Sequence, residues 1–254
     1  MNETSNTPAP EVRYALYFAP EQNSPWWQAG CHWLGRDPAS ATALPQPALS
    51  NVTAAEFHQL TSDARRYGFH ATLKAPFRLA EGCTHTQLDA ALRDFCRQQH
   101  SLTIPAPRVE WMGNFLALRP HGDVSAIHRL AMDCVSSFDH FRAALSAADI
   151  ARRQRHPLSD RQMQLLQRWG YPYTEEEFRF HMTLTDALHQ PDQAEAICQA
   201  AQNFFTIDAP LQLNGLALFT ENTPGAPFQL AQRYAFGAAN DITTATLNEM
   251  QSQS

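Results

Sequence analysis

Gly68-Phe69-His70-Ala71-Thr72-Leu73-Lys74 and Phe178-Arg179-Phe180-His181-Met182-Thr183-Leu184-Thr185 both contain Phe-His-x-Thr-Leu, the second histidine 111 positions after the first (181 − 70). Successive side chains of a strand point to opposite faces, so residues i, i+2 and i+4 share one. Read as strands over about 68–75 and 178–185, the first stretch groups His70, Thr72 and Lys74 on one face. The second groups Arg179, His181, Thr183 and Thr185. Phe69, Ala71 and Leu73 back the first set, and Phe180, Met182 and Leu184 the second. Each strand thus offers an imidazole, a hydroxyl and a cation over an apolar side.

The echo continues downstream. Thr103-Ile104-Pro105-Ala106-Pro107 is answered by Thr206-Ile207-Asp208-Ala209-Pro210, and Gly113-Asn114-Phe115-Leu116-Ala117-Leu118 by Gly215-Leu216-Ala217-Leu218-Phe219. A unit repeated within one chain implies two halves related by a pseudo-twofold axis. The expected fold is α+β: two pseudosymmetric lobes, each an antiparallel sheet with helices on its outer face, around a central cleft where the motif strands meet.

With 254 residues, 44% apolar and 17% charged, the chain has the composition of a soluble globular protein with ample core. One two-lobed domain is expected over residues 12–239, between a disordered arm (1–11) and a flexible tail (240–254). The first ten residues carry neither the basic region nor the apolar run of a secretory signal, and no stretch approaches membrane-spanning length. A cytoplasmic protein without a membrane partner is expected. Five scattered cysteines (Cys31, Cys83, Cys96, Cys134, Cys198) with no CxxC pair read as reduced thiols. A net charge of −6 argues against a surface that grips long nucleic acid, yet allows a small phosphorylated partner in a locally basic cleft.

In chain order, residues 12–19 read as a first strand stopped by Pro20. A loop-rich segment follows, with Trp26, Trp27 and Trp33 capping the core. Thr53 with Glu56 signals a capping box for a helix to about Arg65. Further helices are expected over 86–99, within 124–169 behind Ser159, and over 191–204. Strands are expected over 101–104, within 109–118, and over 205–212, 214–220 and 228–236. Arg142 and the run Arg152-Arg153-Gln154-Arg155 could form a second cationic locus, though such a run is more often a solvated helix face.

A lone strand histidine is ordinarily structural, but two matched copies inside a longer repeat ask for another account. Two imidazoles permit one base and one acid, each worth roughly 10²–10⁴-fold in rate. Threonine hydroxyls can donate to anionic oxygens, and Lys74 or Arg179 can neutralise developing charge. That set suits in-line attack of water on a phosphodiester, and it requires no metal and no cofactor. His-x-Thr is not a metal-ligand spacing, and no carboxylate or cysteine sits beside either histidine.

The stretches Arg13 to Pro20, Arg65 to Phe77, Phe138 to Arg153 and Trp169 to Thr185 resemble the two-histidine (2H) phosphoesterase superfamily, in particular its DUF1045-like branch encoded with phosphonate-degradation genes. The resemblance implies that His70 and His181 are catalytic and that Thr72 and Thr183 bind phosphate. Lys74, Arg179, Tyr67 and Tyr173 are supporting candidates. It further implies a small cyclic phosphate as substrate, such as phosphoribosyl 1,2-cyclic phosphate. The alternatives are an RNA 2′,3′-cyclic phosphodiesterase, or a module that binds a phosphorylated ligand without turnover.

Overall fold

The computed structural model describes residues 12–154 and 157–237. The expected arm over 1–11, the tail over 240–254 and Arg155 lie outside the described residues.

The first strand, β1 (Arg13–Phe18), leads to α1 (Pro25–Leu34). A short ribbon of β2 (Arg36–Asp37) and β3 (Thr42–Ala43) precedes α2 (Ala54–Leu60) and α3 (Ser62–Tyr67). Then come β4 (Ala71–Arg78), α4 (His85–Arg97), β5 (Leu102–Ile104), β6 (Arg108–Met112) and β7 (Phe115–Arg119). The middle block holds α5 (Ser125–Ser137), a 3-10 turn at Asp139–Phe141, α6 (Ala147–Arg153) and α7 (Asp160–Trp169). After a 3-10 turn at Glu175–Glu177 come β8 (Met182–Thr183), α8 (Pro191–Phe204), β9 (Leu211–Leu213), β10 (Gly215–Glu221) and β11 (Gln229–Ala235).

Seven strands form one sheet in the order β11-β10-β1-β4-β8-β7-β6, every neighbouring pair antiparallel. The architecture is α+β, and the two halves of the chain are interleaved in it. The hairpin β6–β7 of the first half lies along β8, the second motif strand, while β10 and β11 of the second half extend the sheet beyond β1 and β4. The motif strands are therefore neighbours in one sheet, joined at Ala71↔Met182. A separate ribbon, β5 with β9, ties the halves again through Leu102↔Leu213 and Ile104↔Leu211.

Several local expectations are met by the physical signals that prompted them. The Thr53/Glu56 capping box forms, and Ser159 caps α7 through a capping box with Gln162. Others are not. The tryptophan-rich segment is a helix, α1, with Ser24 as N-cap and Pro25 at its first position, where proline's missing N–H costs nothing. The helix expected over 53–65 breaks at Thr61, a fully buried residue whose hydroxyl bonds back to the Phe57 carbonyl at 3.0 Å. Residues 205–210 are not strand, so the second Thr-Ile-x-Ala-Pro copy leads into β9 instead of forming it.

Helix α5 packs against β4 and α4 against β11. Trp33, fully buried, donates its indole N–H to the Leu184 carbonyl at 2.9 Å and anchors α1 to the end of the second motif. Asp186 caps α3 from the other half of the chain, accepting from the Asp63 and Ala64 amides at 3.0–3.1 Å. At the far end of β10, buried Glu221 pairs with both Arg13 and Arg66. The approach to the first motif is thereby held at both ends of α3. All five cysteines are free. Among the described residues no helix is long and apolar enough to cross a membrane.

Candidate active site

Ala71 and Met182 are fully buried, and the four residues flanking them are only half-buried. Alternation turns His70 and Thr72 away from the side Ala71 faces, and His181 and Thr183 away from the side Met182 faces. Extending the Ala71↔Met182 register one residue each way sets Thr72 across from His181 and His70 across from Thr183. The two motifs thus make a square of imidazole and hydroxyl at the middle of the sheet.

Both imidazoles are held alike. His70 Nδ1 lies 2.8 Å from the Gly68 carbonyl, and His181 Nδ1 lies 2.7 Å from the Arg179 carbonyl, each two residues upstream. A carbonyl only accepts, so Nδ1 carries the proton in both rings and Nε2 is left for chemistry. His70 Nε2 is 3.2 Å from Thr72 Oγ1. Gly68 supplies its carbonyl from φ +81°, ψ 172°, a backbone region essentially confined to glycine.

Burial holds His70 well below its ordinary value, at about 4; the Gly68 hydrogen bond opposes this and the charge of His181 adds to it. His181 is lowered too, first by burial, against the Arg179 carbonyl and with the help of Arg119. Tyr17 of β1 stacks on His70 with ring centroids 3.6 Å apart.

Beside the square opens a cleft of about 570 Å³, lined among others by Thr72, His181, Phe115, Arg119, His128, Tyr171, Tyr173, Thr174 and Arg179. The supporting candidates divide. Arg179 and exposed Tyr173 line the cleft, Tyr173 edge-on to Tyr171 at 5.4 Å. Tyr67 packs instead on Phe228, its ring 6.4 Å from His70. Thr185, expected on the face of His181, is buried and accepts the Leu116 amide at 3.0 Å, so it fastens β7 to the motif.

Lys74 is not a cleft residue. It is 3% exposed, and its ammonium donates to the Val135 carbonyl at 3.0 Å and to Asp139 Oδ1 at 3.2 Å. The reason is a register shift: Tyr17 pairs with Thr72 but Leu16 pairs with Lys74, leaving Leu73 as an extra residue on β4. The bulge breaks the alternation that grouped Lys74 with Thr72. Burial pulls the Lys74 ammonium down to about 8 against the pull of Asp139.

The arginines considered for a second cationic locus are, among the described residues, each engaged by a side chain of this chain. Arg142 grips Asp139 with two hydrogen bonds at 2.8 and 3.1 Å, and Arg152 pairs with Asp149 at 2.8 Å. Arg153 lies over the Tyr171 ring at 5.1 Å, behind the cleft wall. Arg119, His128 and Thr174, which do line the cleft, escaped the sequence reading. Phe115 lies within the first Gly-led stretch, over 113–118, and Arg119 directly follows that stretch, four residues after Phe115 and hence on the same strand face, a signal that could have placed them; Thr174 carries no such signal. Among the described residues no three of His, Cys, Asp and Glu converge on a point.

An antiparallel α+β sheet bearing paired His-x-Thr strands at its centre is the class that fold and site define. The chain belongs to the family described as "Protein of unknown function (DUF1045)", whose model matches residues 72–229. It is 47% identical over 235 residues to a Janthinobacterium sp. (strain Marseille) protein named ribose 1,5-bisphosphate phosphokinase PhnN, with 91% of this chain and 52% of that protein covered. A Laribacter hongkongensis protein of the same name is 39% identical over 225 residues, covering 87% and 51%. The chain spans about half the length of these curated relatives. Among solved structures, E. coli LigT complexed with NADP+ aligns with 90% of this chain and 99% of its own, at 15% identity and a TM-score of 0.41.

Proposed function

We propose that this chain is a phosphodiesterase of the two-histidine type, acting without a metal on a small cyclic phosphate. The observation that carries the reading is the square of His70, Thr72, His181 and Thr183, with both imidazoles fixed and protonated at Nδ1, which leaves both Nε2 atoms unprotonated, that of His70 beside the Thr72 hydroxyl.

The diester phosphorus sits over the square, its non-bridging oxygens accepting from the Thr72 and Thr183 hydroxyls. His70, kept neutral by burial, takes a proton from the attacking water at Nε2. The new P–O bond forms in line with the one that breaks. His181, protonated at Nε2 once the substrate's negative charge is in place, delivers that proton to the departing alkoxide. The products are a phosphate monoester and a free hydroxyl on the same sugar. The imidazolium left on one side and the neutral ring on the other are reset by proton exchange with water.

A phosphorylated ribose is the favoured frame, with phosphoribosyl 1,2-cyclic phosphate as the leading substrate. The name of the half-matched relatives, which refers to a ribose bisphosphate, supports this choice. One observation favours a second reading: the aromatic wall of Trp111, Phe115, Tyr171 and Tyr173 would also accept a nucleobase, as in an RNA 2′,3′-cyclic end.

The test is a panel of phosphoribosyl 1,2-cyclic phosphate, nucleoside 2′,3′-cyclic phosphates and RNA bearing a 2′,3′-cyclic end, followed by phosphorus NMR. Ring opening of the first, unaffected by chelators and lost in folded His70→Ala and His181→Ala, is expected. Turnover surviving in both variants, or stopped by EDTA and restored by a divalent ion, would overturn the mechanism. Preference for the RNA end would move the substrate to the second reading.

A further inference from the structure

The part of the cleft beyond His181 holds donors that the diester chemistry does not use. Thr174 is 3% exposed and lines the cleft, yet its hydroxyl has no partner. Arg119 lines the same space with a buried, unpartnered Nε, while one Nη donates to Glu110 Oε2 at 2.9 Å and holds the guanidinium in place. Arg179 uses a single Nη on the carbonyls of Glu176 and Phe178, at 2.6 and 2.7 Å. His128 completes the group: burial first, and then the Arg179 charge, lower it.

Buried polar groups are almost always satisfied, so two orphan donors on residues that line one cavity mark a place for a ligand's acceptors. The carboxylates that line the cleft are engaged elsewhere. Glu175 accepts from the Trp169 indole at 2.7 Å and pairs with Arg161 and Arg168. Glu177 accepts from the Gln162 amide at 3.0 Å. Glu110, which is not among the residues that line the cleft, is the anchor of Arg119. Two guanidinium groups, a hydroxyl and an imidazole therefore line the cavity, the donor types that recognise the oxygens of a phosphate monoester.

We propose that Arg119, Arg179, Thr174 and His128 form a second anion subsite, which takes a phosphate monoester carried by the same substrate as the scissile diester. The proposal rests on the phosphodiesterase reading and names the feature by which the enzyme selects its substrate. Arg119 is the pivotal donor, because it lines the cleft together with His181 and its charge also lowers the basicity of His181. A substrate with both phosphates would bridge the square and the subsite, and the distal phosphate would supply the binding energy that orients the diester.

The test compares two substrates, ribose 1,2-cyclic phosphate with and without a 5-phosphate, in the wild type and in Arg119→Gln and Arg179→Gln. Charge-assisted hydrogen bonds of this kind are worth roughly tenfold to a hundredfold each. The expected result is a wild-type preference of at least about a hundredfold in kcat/KM for the 5-phosphorylated substrate. Each substitution should reduce that ratio by about tenfold or more. A wild type without preference, or variants that lower both substrates equally and keep the ratio, would overturn the subsite. Arg179 is exposed, so its variant keeps the test if Arg119→Gln fails to fold. If neither substrate turns over, the diesterase reading has failed, and calorimetric binding of ribose 5-phosphate against ribose decides the subsite separately. At least tenfold tighter binding of the phosphorylated sugar, lost in the variants, supports it; equal binding overturns it.

Discussion

The phenol ring of Tyr17 lies against the imidazole of His70, ring centroids 3.6 Å apart and 20° from parallel. Tyr17 is 1% exposed, and its Cα is the cross-strand partner of Thr72. The stack grips one face of the imidazole while the Gly68 carbonyl holds its Nδ1 edge, so the ring has little freedom to turn. The same contact removes water from His70 and contributes to its lowered basicity.

Tyr17→Phe keeps the stacked ring and should retain kcat within about threefold. Tyr17→Leu removes the flat face, and it should cost about 1–3 kcal/mol of stability. It should also reduce kcat by about tenfold or more, because the imidazole loses its fixed aim. NMR titration should find His70 moving from about 4 back toward its ordinary 6.5 in the leucine variant alone.

The pH dependence follows from both depressed histidines. His70, near 4 when folded and near 6.5 when unfolded, favours the folded state fully above about pH 6.5. That contribution is lost as pH falls through 4. For kcat/KM the base must be neutral and the acid protonated, so the acidic limb lies near 4. The alkaline limb lies below 6.5, because His181 is also lowered in the free protein. A bell with its maximum between about 4 and 6.5 is expected; a plateau rising through pH 8 would contradict the paired roles.

Gly30, in α1, is far from Phe69 in sequence but touches it in space. A Cβ at position 30 would fall 2.2 Å from the Phe69 ring, which is fully buried beside His70. Gly30→Ala should destabilise the protein by about 1–3 kcal/mol through overpacking. Displacement of Phe69 should carry His70 with it, and single-turnover kinetics should register a loss of about tenfold in the chemical step.

Lys74→Met separates a structural cation from a site cation. Asp139 keeps its two hydrogen bonds from Arg142, so the carboxylate is not left unpaired. Stability measured by urea denaturation should change by no more than about 1 kcal/mol. KM for the cyclic phosphate should stay within about threefold, whereas loss of a phosphate-binding cation would raise it about tenfold or more.

The sequence by itself determined the paired motifs, the apolar backs of their strands, the capped starts of α2 and α7, and the duplication that pairs His70 with His181; that their strands are neighbours in one sheet was decided by the tertiary structure. These are written in short-range terms: alternation, caps and repeats depend on residues a few positions apart. Only the tertiary structure decided the bulge at Leu73, which turned Lys74 from a cleft cation into a buried partner of Asp139. The same holds for the gathering of Arg119, His128 and Thr174 at one cavity, and for the placement of Tyr17 on His70. Register shifts and burial are settled where segments a hundred residues apart must fit together. Periodicity names the faces of each strand, and packing decides which face meets the cleft.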